Sequence, residues 1–163
     1  MSKAVTLFVA MLALLVGCAS TQTSPQPVAF AKPDLSISQE DQWQLMAGKW
    51  YGEQPTKDGG TRKWIVERFI DGAYRVDFLN VKNDGVIEKL SEVGQWGVSG
   101  PVYFSSFRGW LKDETIKFSD PSNPYNYDAY RIIQLNDKIF EYEHYSSGNR
   151  FTVKRVTSDF ELK

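Results

Sequence analysis

The chain has 163 residues, with 19 basic and 20 acidic side chains and a formal net charge of −1. That length bounds it to one domain of ordinary size with extensions, and the near-neutral balance without a basic run excludes a nucleic-acid binder that works by charge. Aromatic residues reach 14%, and the single cysteine excludes an intramolecular disulfide.

Lys3 precedes an apolar run over residues 4–16. A positive start followed by a short apolar run is the pattern of a secretory signal. The run is shorter than the roughly 20 residues a membrane-spanning helix needs. It ends in Leu15-Val16-Gly17-Cys18, and Cys18 is the chain's only cysteine. This tetrapeptide resembles the lipobox of bacterial lipoproteins. The resemblance implies cleavage after Gly17 and acyl chains such as palmitate on Cys18, enough of them for stable membrane anchoring. Residue 19 is Ala rather than Asp. By analogy with enterobacterial lipoproteins, that implies the outer membrane, with the protein facing the periplasm. Residues 1–17 are then a signal peptide. Residues 18–34 follow as a lipidated start and tether, because Ser20-Thr21-Gln22-Thr23-Ser24-Pro25-Gln26-Pro27 is polar, proline-bearing and without periodicity.

Residues 35–163 form the domain. Ser36 or Ser38 caps a short helix running to about Met46, with Asp41 in the capping-box position relative to Ser38. Strand patterns and turn signals then alternate. Strands are expected over residues 49–53, 61–69, 73–82 and 86–98. Asp71-Gly72 and Asn83-Asp84-Gly85 act as hairpin turns among them. Gly94 and Gly97 inside the fourth strand predict a bulge or bend. Further strands are expected over residues 102–107, 110–118 with a corner at Gly109, 127–135, 138–145 and 150–156. About nine strands joined by tight turns predict an all-β, antiparallel up-and-down barrel preceded by a short helix, since closure removes the sheet edges. An immunoglobulin-like sandwich is the competing architecture.

Gly48-Lys49-Trp50-Tyr51-Gly52, just after the short helix, resembles the Gly-X-Trp element that opens the barrel of lipocalins and related calycins. Trp64, Asp71-Gly72-Ala73-Tyr74 and Gly94-Gln95-Trp96 are similar to the later pattern of small bacterial lipocalin-like lipoproteins. The resemblance implies that Trp50 lies across the closed end of the barrel under a late-strand arginine. Arg155 is the best match for that arginine and Arg150 the alternative.

Enzyme signatures are missing: there is no Gly-X-Ser-X-Gly elbow, no phosphate-cradling loop and no histidine pair for a metal. No catalytic residue, metal site or cofactor is therefore expected. A catalytic triad would have to use His144, the one histidine, and Glu141 and Glu143 point to the opposite strand face. Glu88, Glu92, Asp113 and Glu114 read as solvated carboxylates. Strand alternation groups Tyr74, Val76 and Phe78 on one face. It groups Trp64, Val66 and Arg68 on a second, and Phe140, Tyr142 and His144 on a third. A fourth holds Tyr127, Ala129, Arg131 and Ile133, with Tyr130 and Ile132 opposite. Faces of this kind inside a barrel suit a small apolar or amphipathic ligand, and they equally suit a filled interior. The candidate ligand-binding residues are Trp64, Tyr74, Phe78, Arg131, Tyr142 and His144. The expected function is a membrane-anchored module binding a small hydrophobic or amphipathic molecule in the cell envelope. The alternative is an envelope protein-interaction lipoprotein whose barrel is filled.

Overall fold

The computed structural model describes residues 37–163, so the signal, Cys18 and the tether lie outside the described residues. Ser38 caps helix α1 (Gln39–Met46): its Oγ accepts the Asp41 amide at 3.1 Å and donates to the Asp41 carboxylate at 2.7 Å. Nine strands follow, β1 (Gly48–Pro55), β2 (Thr61–Arg68), β3 (Ala73–Val81), β4 (Ile87–Ser99), β5 (Val102–Lys112), β6 (Thr115–Phe118), β7 (Tyr127–Leu135), β8 (Ile139–His144) and β9 (Arg150–Arg155). A single 3-10 turn, Pro124–Asn126, precedes β7.

The ladder is antiparallel throughout and runs β4-β3-β2-β1-β9-β8-β7-β5, with a β4–β5 pairing that joins its ends. Eight strands thus close a barrel in which chain neighbours are space neighbours, with β6 as an addition outside the ring. The closed ladder rules out the two separate sheets of a sandwich. The seam between β1 and β9 is short. Its register pairs are Trp50 with Arg155, Tyr51 with Lys154 and Gly52 with Val153.

One strand boundary differs from the sequence pattern. The expected corner at Gly109 is absent: β5 runs through it, and the turn to β6 falls at Asp113-Glu114, both with positive φ (48° and 61°). Two side-chain-bearing residues in that conformation carry no glycine signal. Gly109 serves close approach instead, since a Cβ there would lie 2.5 Å from the Lys117 carbonyl oxygen of β6. The bulge expected near Gly94 is present. The β4–β5 register shifts between Val93 and Gly94, leaving Arg108 without a partner position.

Helix α1 plugs one end of the barrel. Met46, Trp50, Ile132, Phe140 and Val153 are 0% exposed there and in the adjoining layer; burial of such side chains contributes about 2–3 kcal/mol each. The Trp50 indole N–H donates to the Met46 carbonyl at 2.9 Å, and the Trp43 indole stacks on Trp96 at 4.2 Å. Arg155 lies over Trp50 with Cζ 4.3 Å from the ring. It donates to the carbonyls of Ala47 and Asp137, both at 3.0 Å, and to that of Leu45. Arg150 points to solvent and pairs with Glu143 at 2.6 Å.

Candidate ligand-binding cavity

Inside the barrel, on the side of the core away from α1, the packing leaves a cavity of about 200 Å3. Its walls follow from strand parity. On β2, Arg62, Trp64, Val66 and Arg68 alternate inward; on β3, Tyr74, Val76 and Phe78 do the same. β4 contributes Glu92, β5 contributes Tyr103 and Ser105, β7 contributes Tyr130, β8 contributes Tyr142 and β9 contributes Phe151. Trp64 lies flat against β1 because Gly52 is there: a Cβ at that position would sit 2.2 Å from the indole. Larger depressions, such as one of about 510 Å3 between Tyr51, Lys63 and residues 157–163, are open grooves on the outer surface.

The cavity has two ends. Arg68 pairs in register with Gly48 and Tyr74, beside the α1 plug, whereas Arg62 pairs with Gln54 and Asn80 at the opposite rim. The two arginines are six positions apart, roughly 20 Å along β2. At the rim, Arg62 donates to Asn80 at 2.9 Å and lies over Phe78. At the blind end Arg68 is 2% exposed. Its guanidinium stacks on Tyr103 and Phe140 at 4.8 and 5.2 Å, and Nη2 donates to the Tyr103 hydroxyl at 3.2 Å. Nε and Nη1 have no hydrogen-bond partner. Among the described residues no carboxylate lies within ion-pair distance of it.

Glu92 and the phenols between the two arginines are shifted toward their neutral forms. Burial pushes the Glu92 carboxyl up to about 7, and the hydrogen bond from Tyr74 (3.3 Å) lowers it only in part. Burial likewise raises the Tyr74, Tyr130 and Tyr142 phenols well above their ordinary value, so they are present as neutral hydroxyls. The interior is therefore an aromatic chamber with Arg68 charged at its inner end and Glu92 close to its midpoint at neutral pH.

Of the residues singled out in the sequence, Trp64, Tyr74, Phe78 and Tyr142 share this wall. Arg131 does not. It sits on the outside of the barrel, where it pairs with Glu143 at 2.6 Å. On β7 it is Tyr130 and Ile132 that turn inward, because both faces of that strand carry large apolar groups and the inner one is set by the neighbouring aromatics of β5 and β8. His144 keeps the inward parity of Tyr142 but stands at the rim as the last residue of β8 and does not line the cavity. There Nε2 lies 3.0 Å from Asp128, Nδ1 accepts the Ser147 amide at 3.1 Å, and Ser147 Oγ is 3.0 Å from Nδ1. A serine, a histidine and an aspartate thus meet, but as the cap of the β8–β9 hairpin: Nδ1 is occupied by the turn's own backbone. Glu92 also departs from expectation, being inside rather than solvated. It shares parity with Gly94 and Trp96, and that alternation was the signal available to place it.

No protein-family model matches the chain, and no curated protein matches it. Among solved structures, a lipocalin-like protein from Bacteroides uniformis matches with a TM-score of 0.41 and 16% identity, over 68% of this chain and 97% of that one.

Proposed function

We propose that this chain is a binding module: a barrel that holds a small hydrophobic or amphipathic molecule, tethered through lipid on Cys18 to the outer membrane and facing the periplasm. The observation that carries the binding reading is the aromatic cavity of about 200 Å3, which Trp64, Tyr74, Phe78 and Tyr142 wall rather than fill. An apolar enclosure with a few convergent polar groups is the usual form of a small-molecule site. The anchoring reading rests on Leu15-Val16-Gly17-Cys18 and Ala19.

Trp64 supplies the test of binding. Titration of the full chain with small aromatic and short acyl compounds is expected to change its tryptophan emission and raise its melting temperature. A ligand at a hundredfold excess over its dissociation constant adds about 2.7 kcal/mol. A flat response in both measurements across these compounds counts against a ligand. Anchoring is tested separately. Cys18→Ser is expected to abolish incorporation of labelled palmitate and to release the protein from membranes, and retention of both would remove the lipoprotein reading.

A second reading, contact with an envelope protein, is supported by exposed aromatic residues on the flank of β6. Phe118 is 75% and Tyr125 91% exposed. Crosslinking in intact envelopes through these two positions tests it.

A further inference from the structure

We propose that the ligand carries a carboxylate and enters the barrel carboxylate first, to be held by Arg68 at the blind end with its apolar body among Trp64, Tyr74 and Phe78. This rests on the binding reading above and names the chemical class of what is bound.

A guanidinium cannot shed its proton in a protein and presents five N–H donors with no acceptor. Arg68 is 2% exposed, yet Nε and Nη1 are without acceptors. Leaving a buried charge in that state is costly, and the usual remedies are a paired carboxylate or a neutral substitute. Neither remedy is present. The cavity's carboxylate, Glu92, bonds Tyr74 and is not among the groups acting on Arg68, whose polar neighbours are the phenols Tyr103 and Tyr142. The aromatic faces of Tyr103 and Phe140 offer partial compensation through their quadrupoles. They also hold the guanidinium in place, which makes it a pre-oriented receptor for an anion.

The charge count selects the anion. One cation lines the inner end of the cavity, Arg155 beyond it having its donors closed on backbone carbonyls, and the next along β2, Arg62, is at the rim. A monoanion balances the inner end; a dianionic phosphate would leave a buried negative charge. Carboxylate is the monoanion whose two oxygens suit a planar guanidinium. Size sets the body. An apolar cavity of roughly 150 Å3 takes up benzene, so about 200 Å3 suits one ring or a short acyl chain bearing the acid.

The test compares benzoate with benzyl alcohol, of similar shape and without charge, and with phenyl phosphate. Isothermal calorimetry is run on the full chain and on Arg68→Met. Benzoate is expected to bind wild type at least tenfold tighter than either comparator. Arg68→Met is expected to lose that preference, its benzoate affinity falling at least tenfold to that of benzyl alcohol or below. Equal binding of benzoate and benzyl alcohol by wild type would overturn the proposal and leave the cavity reading standing. Tighter binding of phenyl phosphate, or a preference for benzoate that survives in Arg68→Met, would overturn it too. Binding of none of the three would remove the cavity reading along with it. Should Arg68→Met not fold, the wild-type comparison alone decides.

Discussion

Two arginines approach the plugged end of the barrel and live there under opposite conditions. Arg155 rests on Trp50 and spends its donors on the carbonyls of Leu45, Ala47 and Asp137, so that helix α1, β1 and the β7–β8 turn are tied at one point. Arg68 rests on Tyr103 and Phe140, is bonded to the phenols of Tyr103 and Tyr142 and leaves Nε and Nη1 without a partner. Stacking is common to both, and what differs is donor satisfaction. A buried cation whose hydrogen bonds close on the protein's own backbone belongs to the architecture. One that lines a cavity and keeps buried donors unmet is a cost to folding that something outside the chain can offset.

Removing the architectural arginine is the most damaging change. Arg155→Met is expected to lower the unfolding free energy by about 3 kcal/mol in urea titration, because carbonyls at the α1 end lose charged donors. A loss under about 1 kcal/mol would show that Trp50 and α1 hold that end without it.

The pH dependence of stability asks whether Glu92 is secretly the counter-ion of Arg68. Its carboxyl is raised from 4.5 to about 7 by burial. The folded state therefore holds a proton that the unfolded chain releases, and stability is full below about 4.5 and falls as pH rises through 7. Tyr74 and Tyr130 face Glu92 as neutral groups, Arg62 and Asp128 oppose one another at longer range, and Arg68 stands at the blind end. The expected decline between pH 5 and 8 is about 2–3 kcal/mol, and Glu92→Gln should flatten it. Stability that rises over that window and loses the rise in Arg68→Met would mean an ion pair with Arg68 and would erase the contrast between the two arginines.

Arg68→Met comes next, with the opposite sign to Arg155→Met. Replacing a buried unpaired charge by an apolar chain of similar length is expected to leave thermal stability unchanged or to raise it by about 1–2 kcal/mol. A loss larger than that would reveal satisfaction of Arg68 within the fold. The smallest effect belongs to a third kind of arginine. Arg150 is 61% exposed in its pair with Glu143, and Arg150→Ala should change stability by less than about 0.5 kcal/mol. Arg131→Ala, on the same outer cluster, should leave ligand affinity unchanged.

Strand order was legible because the turns are spelled in residues that only turns favour. Gly72 and Gly85 both adopt positive φ where Asp-Gly predicts it. The turn at Asp113-Glu114 was not legible, since it forces ordinary residues into that region. Barrel faces were legible wherever apolar and polar residues alternate cleanly, as at Tyr74-Val76-Phe78. They were not on β7, where Tyr130 and Arg131 both sit among large neighbours and packing from β5 and β8 chooses between them. Arg68 continues the alternation of Trp64 and Val66, so its inward aim was visible. That its donors go unmet was not, because satisfaction depends on every strand around it.

The seam that closes the barrel rests on three register pairs, one of them Trp50 with Arg155. Most other strand pairings join neighbours in the chain, whereas this one closes a loop of roughly 100 residues, with an entropic cost on the order of 4 kcal/mol. Local hairpins therefore form early, and ring closure is expected last. Until β9 pairs with β1 the chain holds an open, twisted sheet whose aromatic concave face is uncovered. The interval before that seam closes is then when the folding protein has most need of a chaperone.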